Sequence, residues 1–436
     1  MTTILKWNIE NYGFQKAKTV SKKIMKQDII IIGAGLSGLS AAVYLQRQGR
    51  KVHLLEATDR AGGRVKTDAY NGFLLDRGFQ VLLTDYPEAK SLLNYKELQL
   101  KTMLPGATVL YDGGTFEIAD PFRRPTAILS TLFAPIGTLK DKINTLFLKL
   151  KLQKMTLDAI FNQPESTTSD HIKKLGFSQT IMDRFYRPFL SGIFLENDLN
   201  TSNRMFDFVM KMFSDGDVAI PALGMEEIPK QLVSLLPKNS IEYHKRVTAI
   251  SGNTVTTEDG NTYQANQILL ATNANELVSQ FVPNLKTTSQ KVTNVYFEAK
   301  KAPSKKAIVI LNAARSKKWV NNLTVISNVS KAYAPEGKVL ISISFNGLTD
   351  IEDAILAENI KKELEKWYGK QVHEWKMIRT YAIDYALPVH KSIKNDLTIS
   401  EIKITDSVFV CGDYLLNGSI NAAFKTGRLA AEAMQL

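Results

Sequence analysis

The feature that most narrows the folds open to this chain is a junction. Asp28–Ile32, apolar after its first residue, runs straight into Gly33-Ala34-Gly35-Leu36-Ser37-Gly38 and then into a helical pattern that continues through Arg47. After Gly49 a second strand, Lys51–Leu55, ends at Glu56. The intervening helix lets the second strand return parallel beside the first, which predicts a βαβ unit. The glycines have separate tasks: Gly33 permits the tight turn, Gly35 lets the backbone approach a pyrophosphate, and Gly38 lets the helix pack closely on the strand. The helix N-terminus, around Leu36 and Ser37, adds N–H donors and the positive end of a dipole. Glu56 stands about 20 residues further on, where a carboxylate accepts ribose hydroxyls, with Ala57 beside it. A GxGxxG pattern alone is weak evidence, and here its strand-to-helix context carries the reading of a dinucleotide site.

A chain of 436 residues points to two or three domains. With 44% hydrophobic and 22% charged residues it has the composition of a soluble globular protein. Its single cysteine, Cys411, excludes an intramolecular disulfide framework, so the expected location is cytoplasmic. The formal net charge of +12 is spread along the chain without a nucleic-acid motif, which excludes nucleic acid as a partner and favours an anionic surface such as the inner face of a membrane. No apolar run reaches the roughly 18 to 20 residues needed to span a bilayer, so that contact must be peripheral. Residues 1–27, with six lysines against Glu10, read as a flexible basic leader, and Met25 is an alternative start. His53, His171, His244 and His373 show no ligand spacing, so no metal is expected.

Along the chain, 86–214 reads as mostly helical, with proline and glycine punctuation. Residues 218–272 read as α/β: a helix near Glu226–Leu236, a strand near Ile241–Ile250, a turn at Glu258-Asp259-Gly260-Asn261 and the strand Gln267–Ala271. Between 290 and 385 the runs Val292–Glu298, Ala307–Leu311, Leu323–Asn328, Val339–Phe345 and Trp375–Tyr381 suit an antiparallel sheet. A helix interrupts them, with a capping box at Thr349 and Glu352 and with Ile355, Ile360, Leu364 and Trp367 expected in the core. Ser407–Cys411 reads as a buried strand, followed by Gly412-Asp413 and a helix over Asn421–Met434.

Downstream of Glu56 the chain reads ATDRAGGRV, then LLDRGFQVL, then PALGMEEIPKQL, and it closes on VFVCGDYLLNGSINAAFKTGRLAAEAM. These motifs resemble the superfamily of flavin-containing amine oxidases, phytoene desaturases and protoporphyrinogen oxidases. The resemblance implies an α/β fold: a Rossmann-type, glutathione-reductase-like FAD-binding domain (28–85, 215–272 and 400–436) with a discontinuous α+β substrate domain (86–214 and 273–399). It implies that Gly62 and Gly63 make a second approach to FAD, that Arg64 meets the phosphates, and that Arg60 contacts the adenosine side. By the same resemblance Asp76 and Gly78 shape a turn near the flavin, and the backbone of Val247 meets the adenine. Gly412 and Asp413 lie by the ribityl chain or pyrophosphate, and Ser419, Asn421 and Ala422 open a helix aimed at the flavin. A helix N-terminus there stabilises negative charge on the reduced ring.

The chemistry the resemblance implies is removal of a hydride from a hydrophobic or amine-bearing small molecule, with oxygen or a quinone restoring the cofactor. Many amine oxidases of the superfamily carry a lysine on the strand that aligns with Val292–Glu298; here Asn294 is near that position and Lys291 is off it. Tyr381, Tyr385 and His390 are candidates to line the substrate site, and Cys411 is a buried strand residue. Two other classes stand as alternatives: a non-catalytic binding protein of the Rab escort or GDP-dissociation-inhibitor type, and an NAD-dependent dehydrogenase. Finally, the segment Pro121–Lys154 sets seven basic side chains against Asp141 beside an apolar stripe, which suits a helix lying in an anionic interface.

Overall fold

The computed structural model describes residues 25–274, 276–282, 288–390 and 392–435. Its first sheet is built outward from strand β1 (Met25–Ile32), which is followed by helix α1 (Leu36–Arg47) and strand β2 (Val52–Leu55). β2 and the strand Thr262–Leu270 flank β1 in parallel, and Ile241–Glu242 extends the sheet beyond β2. Thr262–Leu270 divides its far edge between two partners. Thr262–Gln264 pair antiparallel with Thr254–Thr256, and Ile268–Leu270 pair in parallel with Val408–Val410. Ile29, Ile30 and Ile31 are fully buried, because both faces of the sheet are covered: Ile29 and Ile31 cluster with Leu39 and Val43 of α1, and Ile30 with Val255, Tyr263 and Val278, which explains the unbroken apolar run.

Two boundaries differ from expectation. Met25–Gln27, assigned to the leader, pair with Tyr263–Ala265 and belong to β1; the rest of the leader, 1–24, lies outside the described residues. The single strand expected over Ile241–Ile250 is two strands, Ile241–Glu242 and Val247–Ser251. Between them the chain must leave β2 for a meander, and the turn is held where His244 (φ 55°) and Lys245 donate to the carbonyls of Thr58 and Glu56.

The C-terminal helix Ile420–Ala433 docks on α1 through small residues. A side chain at Gly427 would place its Cβ 2.3 Å from the carbonyl oxygen of Ser37, and Ser40 Oγ donates to the Phe424 carbonyl at 2.8 Å. The last thirty residues are thereby returned to the first turn of the fold.

The second sheet runs Lys376–Pro388, Ser289–Ala299, Val339–Asn346, Asn322–Val325, Val309–Asn312, Gly106–Tyr111, Gly114–Ala119. It is antiparallel except where Val309–Asn312 meets Gly106–Tyr111. The hairpin 106–119 is the main departure from the mostly helical reading of 86–214. Its strands are only partly buried and do not alternate, on a sheet that later residues complete, so no local pattern announced them. Leu323–Asn328 is a strand only to Val325, after which Ile326–Val329 turn helical.

One face of this sheet is closed by the helix Asp353–Tyr368, whose Leu356, Ile360 and Leu364 pack with Val295, Phe297, Ile341 and Ile343. The capping box expected at Thr349 and Glu352 does not form: Thr349 Oγ1 accepts from Ile351 N–H, and Glu352 is itself the N-cap. The helix buries the row Leu356, Ile360 and Leu364, and Ile355, about 100° round the helix from Leu356, points to solvent instead of the core. The other face meets the helical layer: α2 (Ile128–Phe133), α3 (Leu139–Lys154), α4 (Arg187–Phe194) and α5 (Asn203–Asp215). A π-helical turn, Met182–Tyr186, leads into α4.

Candidate functional site: a dinucleotide cleft with an adjoining apolar cavity

The carboxyl end of β1, the turn after β2 and the turn after Val408–Val410 converge on a cleft of about 1310 Å³. At its floor Gly33 has φ 104°, and a Cβ there would lie 2.8 Å from the Ala271 carbonyl oxygen. A Cβ on Gly38 would lie 2.1 Å from the Gly33 carbonyl oxygen. Gly35 bridges to Gly62, and Cβ on Gly63 would come within 3.2 Å of Gly35 Cα, so two bare backbone turns face each other. α1 has Gly35 as N-cap with no side chain accepting its first N–H groups, which leaves the end of the helix available to an anion.

Glu56, 7% exposed, holds the two turns in register. Its Oε2 accepts from Ala34 N–H at 2.8 Å, and Oε1 accepts from Thr58 N–H at 2.9 Å and Thr58 Oγ1 at 2.7 Å. Across the cleft Arg64 donates to Asp413 Oδ1 at 2.6 Å and to the Ala386 carbonyl at 3.2 Å, with its guanidinium 5.3 Å from the Tyr385 ring centroid. Ser419 caps the C-terminal helix, accepting from Ala422 N–H at 3.0 Å. FAD fits these features. The uncapped helix end and paired glycines offer room and donors for a pyrophosphate, Glu56 is placed for a ribose, and the volume exceeds the roughly 300 to 1,000 Å³ of ordinary small-molecule sites.

The cleft is lined by Gly33, Gly35, Leu36, Ser37, Glu56, Ala57, Gly62, Gly63, Arg64, Val247, Tyr385, Gly412, Asp413 and Ser419. Other residues picked from the sequence stand behind it. Gly38 is the packing contact under the turn, and Asn421 accepts from Glu88 N–H at 3.1 Å. Arg60 is held by Glu226 at 2.7 Å, Asp68 at 2.6 Å and Asp59 at 2.8 Å, away from the lining. Asp76 is buried, accepting from Thr67 Oγ1 at 2.6 Å, Met225 N–H at 3.0 Å and Tyr333 OH at 2.8 Å. Burial pushes its carboxyl up to about 6 against those donors. Gly78 adjoins this buried turn, where a Cβ would meet Ile383 at 2.9 Å.

Of the substrate-site candidates, Tyr385 lines the cleft and Tyr381 does not: its hydroxyl donates to Asp68 at 2.9 Å, and burial, together with that carboxylate, pushes it up to about 12. His390 is half-buried behind the cleft, and burial lowers its pKa although Asp413 opposes this. Asn294 is fully buried and accepts from Ser342 and Ser344 at 3.1 and 2.6 Å, while Lys291 pairs with Asp384 at 2.5 Å. Cys411 is fully buried, and burial raises its thiol pKa.

Sequence reasoning missed the second cavity, about 430 Å³, which is walled by α2 to α5 and by the hairpin 106–119. It shares Phe79, Val81, Gly192, Ile193 and Phe213 with the larger cleft. The π turn and α4 bring Phe185 and Phe189 into it, stacked at 5.3 Å. Its one acidic side chain among the described lining residues, Asp120, is bound to Lys149 at 2.5 Å. Phe79 and Val81 had a signal, since both lie inside LLDRGFQVL; the helical aromatics were indistinguishable from core.

Residues 36–435 match the model of the family described as flavin containing amine oxidoreductase. Protoporphyrinogen oxidase 2 of Arabidopsis thaliana is 26% identical over 167 residues, 38% of this chain and 32% of that protein. Hydroxysqualene dehydroxylase of Rhodopseudomonas palustris is 45% identical over 62 residues, 14% of this chain and 15% of that protein. The chain thus spans a third or less of these curated relatives' lengths. The solved structure of putrescine oxidase bound to putrescine, 14% identical, superposes with a TM-score of 0.69 over 95% of this chain and 100% of that one, a likeness of fold. The family match begins at Leu36, directly after Gly35, and runs through the closing motif, which a nicotinamide dehydrogenase would leave unexplained. The chain belongs to the flavin-containing amine oxidoreductases, an FAD-dependent oxidoreductase family, and its cofactor is FAD.

Proposed function

We propose that this protein desaturates or otherwise dehydrogenates an extended apolar molecule, which enters the 430 Å³ cavity and presents a C–H bond to FAD lying in the 1310 Å³ cleft. The observation that carries this reading is the shared wall: Phe79, Val81, Gly192, Ile193 and Phe213 belong to both spaces. When bound, FAD supplies the two-electron acceptor. The chain positions and shields. Gly35, Gly63 and the end of α1 receive the pyrophosphate, Glu56 the ribose, and Arg64, fixed by Asp413, the phosphate charge. The aromatic walls exclude water from the reacting carbon.

A protonated amine is disfavoured. Entry would strip its hydration, and the carboxylate of Asp120 is already paired with Lys149. Asn294, bound to two serines, lies near the position that carries a lysine in many amine oxidases of this superfamily. Relatives act on both kinds of molecule by name, putrescine oxidase on one side and hydroxysqualene dehydroxylase on the other. We place the protein in the cytoplasm, in peripheral contact with the inner face of a membrane, and leave oxygen or a quinone as the oxidant that restores FAD.

The test is anaerobic. Purified holoprotein is mixed with detergent-solubilised polyenes, porphyrinogens and amines, and flavin absorbance near its visible maximum is followed. Bleaching by an apolar compound and not by amines is expected. Bleaching by amines alone would overturn the substrate class, and protein that binds NAD but no FAD would overturn the whole reading.

A further inference from the structure

We infer that the α2–α3 hairpin is a docking surface for an anionic lipid bilayer, and that the apolar cavity takes its substrate directly from that bilayer. The inference rests on the apolar-substrate reading above and specifies where the substrate comes from. Among the described residues no helix is long and apolar enough to cross a membrane, so the contact is interfacial. The apolar stripe foreseen in this segment is largely bare: Phe133 is 79% exposed, Leu129 68%, Phe147 65% and Leu139 62%, while Ile136 is buried. A monomer rarely exposes so many large apolar side chains together without a use for them.

The charge pattern selects the occupant. Of the seven cations counted in the sequence, Arg123, Arg124 and Lys149 are spent on Asp217, Glu117 and Asp120, and Lys142 donates to the carbonyls of Leu132 and Ala134. Asp141 does not oppose them. It is 1% exposed and closes the capping box of α3 with Thr138. What remains is Lys140, Lys151 and Lys154, exposed and without an ion pair among the described residues. At a helical period of about 100° per residue Lys140 and Lys151 fall on one flank of the stripe formed by Leu139, Ile143, Phe147 and Leu150, and Lys154 follows the stripe at the C-terminal end of α3. Exposed lysines edging an apolar stripe match anionic headgroups over acyl chains, and a protein partner would have no reason to require that order.

The second observation is continuity. Phe122, Ile128, Leu132 and Leu146 line the cavity and are also 63%, 44%, 43% and 37% exposed, so the cavity opens through the same patch. A molecule leaving the acyl layer there reaches the shared wall of the FAD cleft without crossing water.

Co-sedimentation of the full chain, loaded with FAD, with phosphatidylcholine vesicles that contain or lack phosphatidylglycerol tests the docking. Binding to the anionic vesicles is expected, weakening as salt rises. F133E combined with F147E, neither of which lines the cavity, should lower vesicle affinity at least tenfold while flavin absorbance shows an intact fold. If that pair fails to fold, K140E/K151E/K154E is the substitute, with the same expected loss. Failure to pellet with anionic vesicles at low salt, unchanged binding in the folded variant, or a dimer in ultracentrifugation that the variant dissociates would each overturn the proposal. Flavin bleaching by a polyene in detergent needs no vesicle, so failure of the docking is distinguishable from failure of the substrate reading.

Discussion

Glu56 carries two duties at the residue scale. It ties Ala34 and Thr58 together and it faces the cleft where a ribose is expected. Glu56→Ala should therefore lower FAD affinity at least tenfold, because hydrogen bonds to a charged acceptor contribute about 1.5 to 3 kcal/mol. It should also lower the melting temperature of the apoprotein, since the buried N–H of Ala34 loses its partner. Titration of apoprotein with FAD and melts without it check both, and an unchanged dissociation constant would remove Glu56 from the ribose site. Asp76 makes a different prediction. Its folded pKa of about 6 lies above the ordinary 3.8, so the native state holds the proton more tightly than the unfolded chain. The contribution of this residue is then fully present below about pH 4 and is lost as pH rises through about 6, on the order of 2 to 3 kcal/mol in all. Asp76→Asn, which mimics the protonated form, should flatten that window; parallel pH profiles of melting for the two proteins would refute it.

At the scale of elements the contact between α1 and the C-terminal helix decides whether the two ends of the cleft meet. Gly427→Val would drive its side chain into the Ser37 carbonyl, 2.3 Å from the Cβ position. Overpacking of this kind commonly costs about 1 to 3 kcal/mol, and here it also displaces Ser419 and Asp413 from the cleft. The expected result is a lower melting temperature with FAD lost from the purified protein, and full FAD occupancy in a folded Gly427→Val would disprove the coupling. Ser419→Ala is the milder control, removing one N-cap bond at roughly 1 kcal/mol. The same scale shows why the cap expected at Thr349 failed: a capping box needs only a four-residue pattern, but the helix starts where its buried face, Leu356, Ile360 and Leu364, first reaches the sheet.

For the whole molecule, the cleft draws on stretches from Ile32 to Ala423, so FAD should report on global folding. A hundredfold excess of FAD over its dissociation constant should stabilise the protein by about 2.7 kcal/mol, seen as a rising melting temperature on titration. A chain ending at Thr405 lacks the strand Val408–Val410 and the helix behind it and should show no such rise. A rise of equal size in the truncated chain would mean that the N-terminal turn alone holds the cofactor.

The sequence by itself determined the βαβ start, the glycine turn, Glu56 and the closing Gly412-Asp413 segment. In each of these, backbone sterics and a fixed strand-to-helix order leave few alternatives, and the information is local. It also marked the basic apolar stripe of 121–154, though not which of its cations were already paired. Only the tertiary structure decided that Gly106–Tyr111 and Gly114–Ala119 join a sheet completed two hundred residues later, and that Arg60, Asp76 and Tyr381 stand behind the cleft while Tyr385 faces it. The apolar cavity belongs to the same class. Phe185, Phe189 and Phe213 obey the helical spacing of any core stripe, and a wall differs from a core only in whether another element arrives to fill the space in front of it.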